Sequence, residues 1–436
     1  MGNSNKTDPG AATGRHRVVD STYLSLTGQD LWGDLNSDLD TLSLRERSNL
    51  VELDRELHSH WALGRNFLLG WCGCSTGMQL LIVPHYTVAD YALGAAHEPP
   101  NAAANAEAAN FVMGLLSRKR LLEPRQMTTA ARLLGVEPTV IALRQPLTGS
   151  AAETRVIEKL VTRYGVRYVQ NRAVALFDIV GFSLLSPFEQ MTQLNSLSYS
   201  LNSAHSKMLD KEVNVRFARS STGDGFYIWN RDLGVSANTN LYHLMHLVLA
   251  DNAIARSKAH NRTVPLLRTA FHVGSCYEFH QAEGLNPTVF SDIVGDVTID
   301  LARMVDRALP GQVLVGDFCA TLPGDQPDAR VELDSVSFID FAQHNLSQLN
   351  GLVLAGEAIR SIKCYLTGES SGQGQFSIRK LSIEDKHGLS HLVFNAKINI
   401  YRDHAEPILL GVEDRILRGD HLDMSTFCHI LPNVQH

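Results

Sequence analysis

The stretch that most narrows what this chain can become is AVALFDIVGFS, Ala173–Ser183. Val174, Ala175, Leu176 and Phe177 make an unbroken apolar run that ends on a single carboxylate, Asp178, just before a Gly181-Phe182-Ser183 turn. Apolar runs of this length, bounded by a turn signal, fit a buried strand. A negative charge is therefore expected at a strand end beside a run of backbone amides, an arrangement suited to a metal-bound polyphosphate.

One carboxylate does not clamp two divalent ions, and the chain supplies a second in STGDGF, at Asp224. Val213–Ala218 and Phe226–Trp229 on either side are strand-like, so Gly223-Asp224-Gly225 reads as the tip of a tight hairpin. Packed beside the first strand, that hairpin brings the two aspartates together. Carboxylates within about 4–6 Å of each other repel, which favours a cation between them. Taken singly, each aspartate would read only as a turn residue.

The elements around this pair have a clear order. Ser186-Pro187-Phe188-Glu189 is a capping box with proline at the first helical position, and Met191, Leu194, Leu197 and Leu201 mark the buried face of a long helix. After the hairpin come a helix over Leu241–Arg256, a strand over Pro265–Val273, a helix over Ile293–Ala308 and, past Pro310-Gly311, a short strand over Gln312–Val315. The expected fold class is α/β (α+β), with a ferredoxin-like βαββαβ core.

At 436 residues the chain has room for two or three domains. Its 44% hydrophobic and 19% charged residues are those of a globular protein, and a net charge of −7 offers no basic stripe for nucleic acid. No apolar run reaches membrane-spanning length and the first residues lack a signal-peptide core, so a cytoplasmic chain without membrane contact is expected. Six cysteines are scattered, and the one close pair, Cys72 and Cys74, reads as a reduced pair. Residues 1–17 read as a disordered tail. Residues 18–149 are mainly helical in pattern, over Leu44–Leu63, Ala103–Leu116 and Arg125–Leu134, with a break at Pro99–Asn101. Residues 150–170 form a connector helix opened by the Ser150–Glu153 capping box, leading into a domain over 171–370. Strand-like runs Phe376–Ile383, Leu392–Tyr401 and Ile408–Val412 make 371–436 a small β-rich C-terminal module.

Three strings in this order, FDIVGFS, STGDGF and DIVGDVTIDLARMVDRALPGQVLV, resemble the class III nucleotidyl cyclases, the family of adenylate and guanylate cyclases. The resemblance runs from about Asn171 to Leu366. It implies two divalent cations, Mg²⁺ or Mn²⁺, held by Asp178, Asp224 and the backbone carbonyl of Ile179. It gives the amides of Gly181, Phe182 and Ser183 to the terminal phosphates. Arg303, seven residues before Pro310, matches the arginine that stabilises charge at the α-phosphate. Because the family builds its sites between two cyclase domains and this chain carries one, the resemblance also implies a homodimer acting on a nucleoside triphosphate.

Departures from the family pattern fall in the base and ribose pocket. Ser220 stands where the family has a base-selecting lysine, and Ile299 where it has a ribose-positioning asparagine. Asp292 matches the aspartate that accepts from an adenine amino group. ATP to cyclic AMP is the first expectation. The alternatives are a pyrimidine cyclase like those of bacterial antiphage defence, making cyclic UMP or cyclic CMP, and a domain that binds nucleotide without turning it over.

Overall fold

The computed structural model describes residues 39–90, 102–283, 286–324, 329–368, 370–372, 375–385, 387–417 and 427–429. The expectations for residues 1–17 and for Pro99–Asn101 lie outside these. The chain divides into two compact units, residues 1–166 with 280–290, and residues 167–279 with 291–436.

The first unit holds the helices expected before residue 150 together with a sheet. Helices α1 (Leu44–Trp61), α2 (Ala102–Ser117) and α3 (Pro124–Leu133) accompany strands β1 (Asn66–Cys74), β2 (Gly77–Pro84) and β3 (Thr139–Ala142), joined as an antiparallel sheet in that order. Helix α1 starts at a complete Ser43–Glu46 capping box, which satisfies amides that a helix start leaves without partners. The helix expected as a connector, α4 (Ala151–Arg163), is part of this unit: Val156, Leu160 and Val161 pack with Leu53, Trp61 and Leu80 in one apolar core.

The second unit is built on strand β4 (Val166–Ile179). Its successive side chains serve opposite faces, as the two-residue period of a strand requires. Ala173, Ala175, Phe177 and Ile179 enter one core; Val174 and Leu176 enter the other. Burial on both faces explains why the run is continuously apolar rather than alternating. After β4 come helix α5 (Pro187–Asp210), hairpin strands β5 (Phe217–Ser221) and β6 (Gly225–Asn230), helix α6 (Val235–Lys258) and strand β7 (Leu267–Glu283). In space these strands lie β7-β4-β6-β5, the fourth-first-third-second arrangement of the expected βαββαβ core.

Strand β8 (Asn286–Val294) pairs with β7, helix α7 (Asp296–Arg307) follows, and β9 (Val313–Gly316) runs parallel to β7. Helices α5 and α6 cover one face of the sheet, with Leu201 and Leu244 among the buried residues, and α7 covers the other with Leu301 and Val305. On α5, Leu197 and Leu201 are buried as expected, but Met191 is 54% exposed: the first turns of α5 extend past the core edge. Helix α7 starts at Asp296, so Ile293 belongs to the preceding strand.

The hairpin β10 (Cys319–Pro323) and β11 (Arg330–Asp334) leads to helix α8 (Ser335–Asn345), which adds Phe338 to the first core. Strands β12 (Val353–Leu354) and β13 (Glu357–Leu366) precede a small ladder of β14 (Ser370–Gly372) and β15 (Gln375–Phe376). The β-rich C-terminal segment consists of β16 (Ile378–Glu384), β17 (Ser390–Arg402), β18 (Ile408–Leu410) and β19 (Phe427–His429). These strands extend the central sheet. Val393–Ala396 of β17 pair with β9, giving among the described residues twelve strands in one mixed sheet flanked by helices.

Candidate functional site

The end of β4 and the β5–β6 turn form one structure. Asp178 lies opposite Gly225 in the antiparallel β4–β6 register, and the Ile179 amide donates to the Asp224 carbonyl at 3.0 Å. Asp178, Ile179 and Asp224 are thereby brought together, through backbone pairing alone. Gly225 permits this approach, because a Cβ there would fall 1.9 Å from the Phe177 carbonyl oxygen. The Thr222 hydroxyl donates to Oδ1 of Asp224 at 3.3 Å, tying that carboxylate to its own turn.

Asp178 is 7% exposed. Burial raises the pKa of its carboxyl, the Arg268 guanidinium opposes that rise, and the charges of Asp224 and Asp306 add to it. Arg268 enters from β7, its Nε 2.5 Å from Oδ2 of Asp178. Burial, Asp306 and Asp224 also push the Tyr227 hydroxyl up to about 12. Three carboxylates therefore act electrostatically on one small region. Sequence reasoning missed Arg268 and Asp306; the only trace of Arg268 is a lone cation in the apolar run PLLRTAFHV.

Directly after β4 the chain turns. Gly181 has φ +68°, the left-handed region that glycine enters without strain, and Phe182–Leu184 form a single 3₁₀ turn ahead of α5. Gly181, Phe182 and Ser183 thus follow Asp178 after Ile179 and Val180, where the chain leaves the end of β4.

The three residues expected in a base pocket come from three elements. Ser220 lies on β5 opposite Tyr227, half-buried. Its neighbour Arg219 is engaged elsewhere, donating to Ser198 at 2.8 Å and lying over the Phe226 ring. Asp292 is half-buried on β8, with Oδ1 accepting from the Ile293 amide at 2.9 Å. Ile299 sits on α7, 52% exposed.

Arg303 also stands on α7, its side chain 21% exposed. The structure pairs it with Asp385, in the turn after β16, at 3.2 Å from Nε to Oδ2. Among the described residues Arg303 forms no ion pair with Asp178 or Asp224.

Among the described residues no three His, Cys, Asp or Glu side chains converge as a metal cage. The donors that the sequence points to, the Asp178 and Asp224 carboxylates and the Ile179 carbonyl, are all oxygens. Hard oxygen donors with net negative charge are what Mg²⁺ and Mn²⁺ take, with water and phosphate oxygens filling the remaining positions. The buried, doubly crowded Asp178 carboxyl, which has a guanidinium against one oxygen, fits the need for a counter-cation there.

No protein-family model matches the sequence, and no curated protein does either. Among solved structures, the guanylate cyclase domain of RhGC from Catenaria anguillulae in complex with GTP is similar at 11% identity and a TM-score of 0.30, over 54% of this chain and 98% of that one. Adenylate cyclases from Trypanosoma brucei in their monomeric state give 12% and 0.30, over 59% and 96%. The adenylyl cyclase CyaB from P. aeruginosa gives 14% and 0.25, over 38% and 93%. Likeness at this level says nothing of substrate or activity.

Proposed function

We propose that this chain is a nucleotidyl cyclase, converting ATP to 3′,5′-cyclic AMP and pyrophosphate. The observation that carries the reading is the β4–β6 register, which seats Asp224 beside Asp178 immediately ahead of the Gly181 turn. In this reading Asp178, Asp224 and the Ile179 carbonyl hold two divalent cations, Mg²⁺ or Mn²⁺. When bound, those ions supply Lewis-acid stabilisation of the triphosphate and ease loss of the 3′-hydroxyl proton. The chain's own part is orientation. The amides of Gly181, Phe182 and Ser183 fix the terminal phosphates, Oδ2 of Asp292 is left to accept from an exocyclic amino group, and Ser220 and Ile299 bound the pocket. The ribose 3′-oxygen then bonds to the α-phosphorus as the bond from that phosphorus to the bridging oxygen breaks, and pyrophosphate leaves with the electron pair. Arg303 donates to the charge that develops on the α-phosphate.

Because Arg303 is paired with Asp385 and with neither aspartate of its own chain, the site is taken to form in a homodimer, with metal residues from one copy and the arginine from the other. Incubating the protein with each of the four nucleoside triphosphates and Mn²⁺, and analysing products, tests the reading. Cyclic AMP from ATP, lost in Asp178→Ala, is expected. A short hydroxyl at Ser220 enlarges the pocket and removes a cation, which favours a second reading as a pyrimidine cyclase. Cyclic UMP or cyclic CMP alone would establish that alternative. The Arg268 ion pair at Asp178 favours a third, nucleotide binding without turnover, and absence of every cyclic product would leave it standing.

A further inference from the structure

We propose that Asp385 is the positioning residue for Arg303, which makes the C-terminal strands β16 and β17 part of the reaction site. This rests on Arg303 acting on phosphate as above. The two oxygens of Asp385 have separate tasks. Oδ1 accepts from the backbone amides of His387 at 2.8 Å and Leu389 at 3.0 Å, which fixes the carboxylate in the turn between the strands. Oδ2 faces outward from that turn, 3.2 Å from Nε of Arg303 and 3.5 Å from Nε2 of His391. The Leu389 and His387 amides, His391 and Arg303 together hold the Asp385 carboxyl down at about 2.

The arrangement continues behind His391. Its Nδ1 lies 3.1 Å from Oδ1 of Asp300, whose Oδ2 is 3.5 Å from Nε2 of His272. His272, on β7, is 8% exposed and packs against β9 where Gly316 leaves room: a Cβ there would fall 2.2 Å from Nδ1 of the imidazole. Two acids and two imidazoles, drawn from α7, β7, β17 and the turn after β16, thus alternate in a line that ends on the guanidinium. Neither Asp300 nor Arg303 stands on an element that β16 or β17 needs for its own pairing. The line instead ties α7 to the C-terminal strands.

The contact at Nε is an ion pair without hydrogen-bond geometry, and it leaves the two terminal nitrogens of the guanidinium as donors, the part that grips phosphate oxygens. A long flexible side chain loses much freedom when a ligand fixes it, and a carboxylate already locked by two amides does that fixing in advance.

The test is steady-state kinetics on the full-length protein with Asp385→Asn, Asp385→Glu, Arg303→Ala and the Asp385→Asn/Arg303→Ala double variant. Asparagine keeps an oxygen for the His387 and Leu389 amides while turning a donor toward Arg303. Asp385→Asn is expected to lower kcat about 10- to 100-fold with KM unchanged, the cost of a misplaced catalytic group. Asp385→Glu restores part of the loss. In the Arg303→Ala background Asp385→Asn costs nothing more, because the two act as one unit. His391→Gln, which leaves the turn untouched, gives a smaller loss that likewise disappears in the Arg303→Ala background. Unchanged kcat in folded Asp385→Asn and His391→Gln, or losses that multiply in the double variant, overturn this proposal while leaving the cyclase reading intact. A wild-type protein that cyclises none of the four triphosphates overturns both.

Discussion

Asp178 is the residue on which two cations converge: the Arg268 guanidinium already beside it, and the divalent ion that the proposed chemistry requires. Arg268 offsets part of the cost of burying that carboxylate, a cost the neighbouring charges of Asp224 and Asp306 increase. Arg268→Ala is therefore expected to destabilise the protein by about 1.5–3 kcal/mol, the range for a hydrogen bond to a charged group. Mn²⁺ should recover part of that loss, since a ligand bound only by the native state stabilises it. Thermal unfolding with and without Mn²⁺ reads both effects, and a variant indifferent to Mn²⁺ would separate the guanidinium from any metal role. The aspartates themselves were legible in the sequence because each sits next to its own punctuation, an apolar run for Asp178 and a Gly-Asp-Gly turn for Asp224. Arg268, Asp306 and Asp385 were not. Each acquires its meaning from a neighbour 90 or more residues away, or on a different element, and no local pattern records that.

Helix α6 shows what the sheet requires of the elements that cover it. It is buried almost all round, so its polar residues lie inside. His243 is fully enclosed, with Nε2 at 3.0 Å from the Ala342 carbonyl and burial lowering its pKa to about 4. His246 is enclosed too, stacked edge-on against Tyr242, its pKa pushed down by burial and then by His243, and neither ring nitrogen has a hydrogen-bond partner. For both groups the unfolded chain takes up the proton first as pH falls. Their contribution is present above the unfolded value near 6.5 and is lost as pH falls below it toward the folded values. Between pH 6 and 4.5 unfolding free energy is expected to fall by about 1.4 kcal/mol per pH unit for each fully titrating histidine. His246→Leu should flatten that slope in denaturant titrations across the range; an unaltered slope would mean that His246 is protonated without unfolding. The elements of the core could be read because a two-sided strand, the S-x-x-E strings at Ser150 and Ser186 and a Gly-rich hairpin are each local signals, although of the two strings only that at Ser186 closes a full capping box, the Glu153 carboxylate accepting instead from the Thr148 and Gly149 amides. The sheet of the first unit was not read, since short apolar runs such as FLLGWC and MQLLIV suit a buried helix as well as a strand. Nor does any residue of β17 announce that it pairs with β9, some eighty positions earlier.

For the molecule as a whole, the account requires two copies for each pair of sites, because Arg303 is paired with Asp385 and not with either aspartate of its own chain. Mixing the severely impaired Asp178→Ala and Arg303→Ala proteins should therefore restore about a quarter of wild-type turnover, since half of randomly paired dimers are mixed and each mixed dimer keeps one intact site of two. Mixtures as inactive as their components, with both proteins folded, would require sites built within one chain. Among the described residues no helix is long and apolar enough to cross a membrane. The central claim is that Asp178 and Asp224 form one cation-binding pair for a nucleotide. Titrating Mn²⁺ into the protein in the presence of a non-cyclisable triphosphate, and following free Mn²⁺ by its paramagnetic signal, tests it without depending on turnover. The account predicts nucleotide-dependent Mn²⁺ binding that is lost in both Asp178→Asn and Asp224→Asn. Equal binding by the wild type and both variants would contradict it.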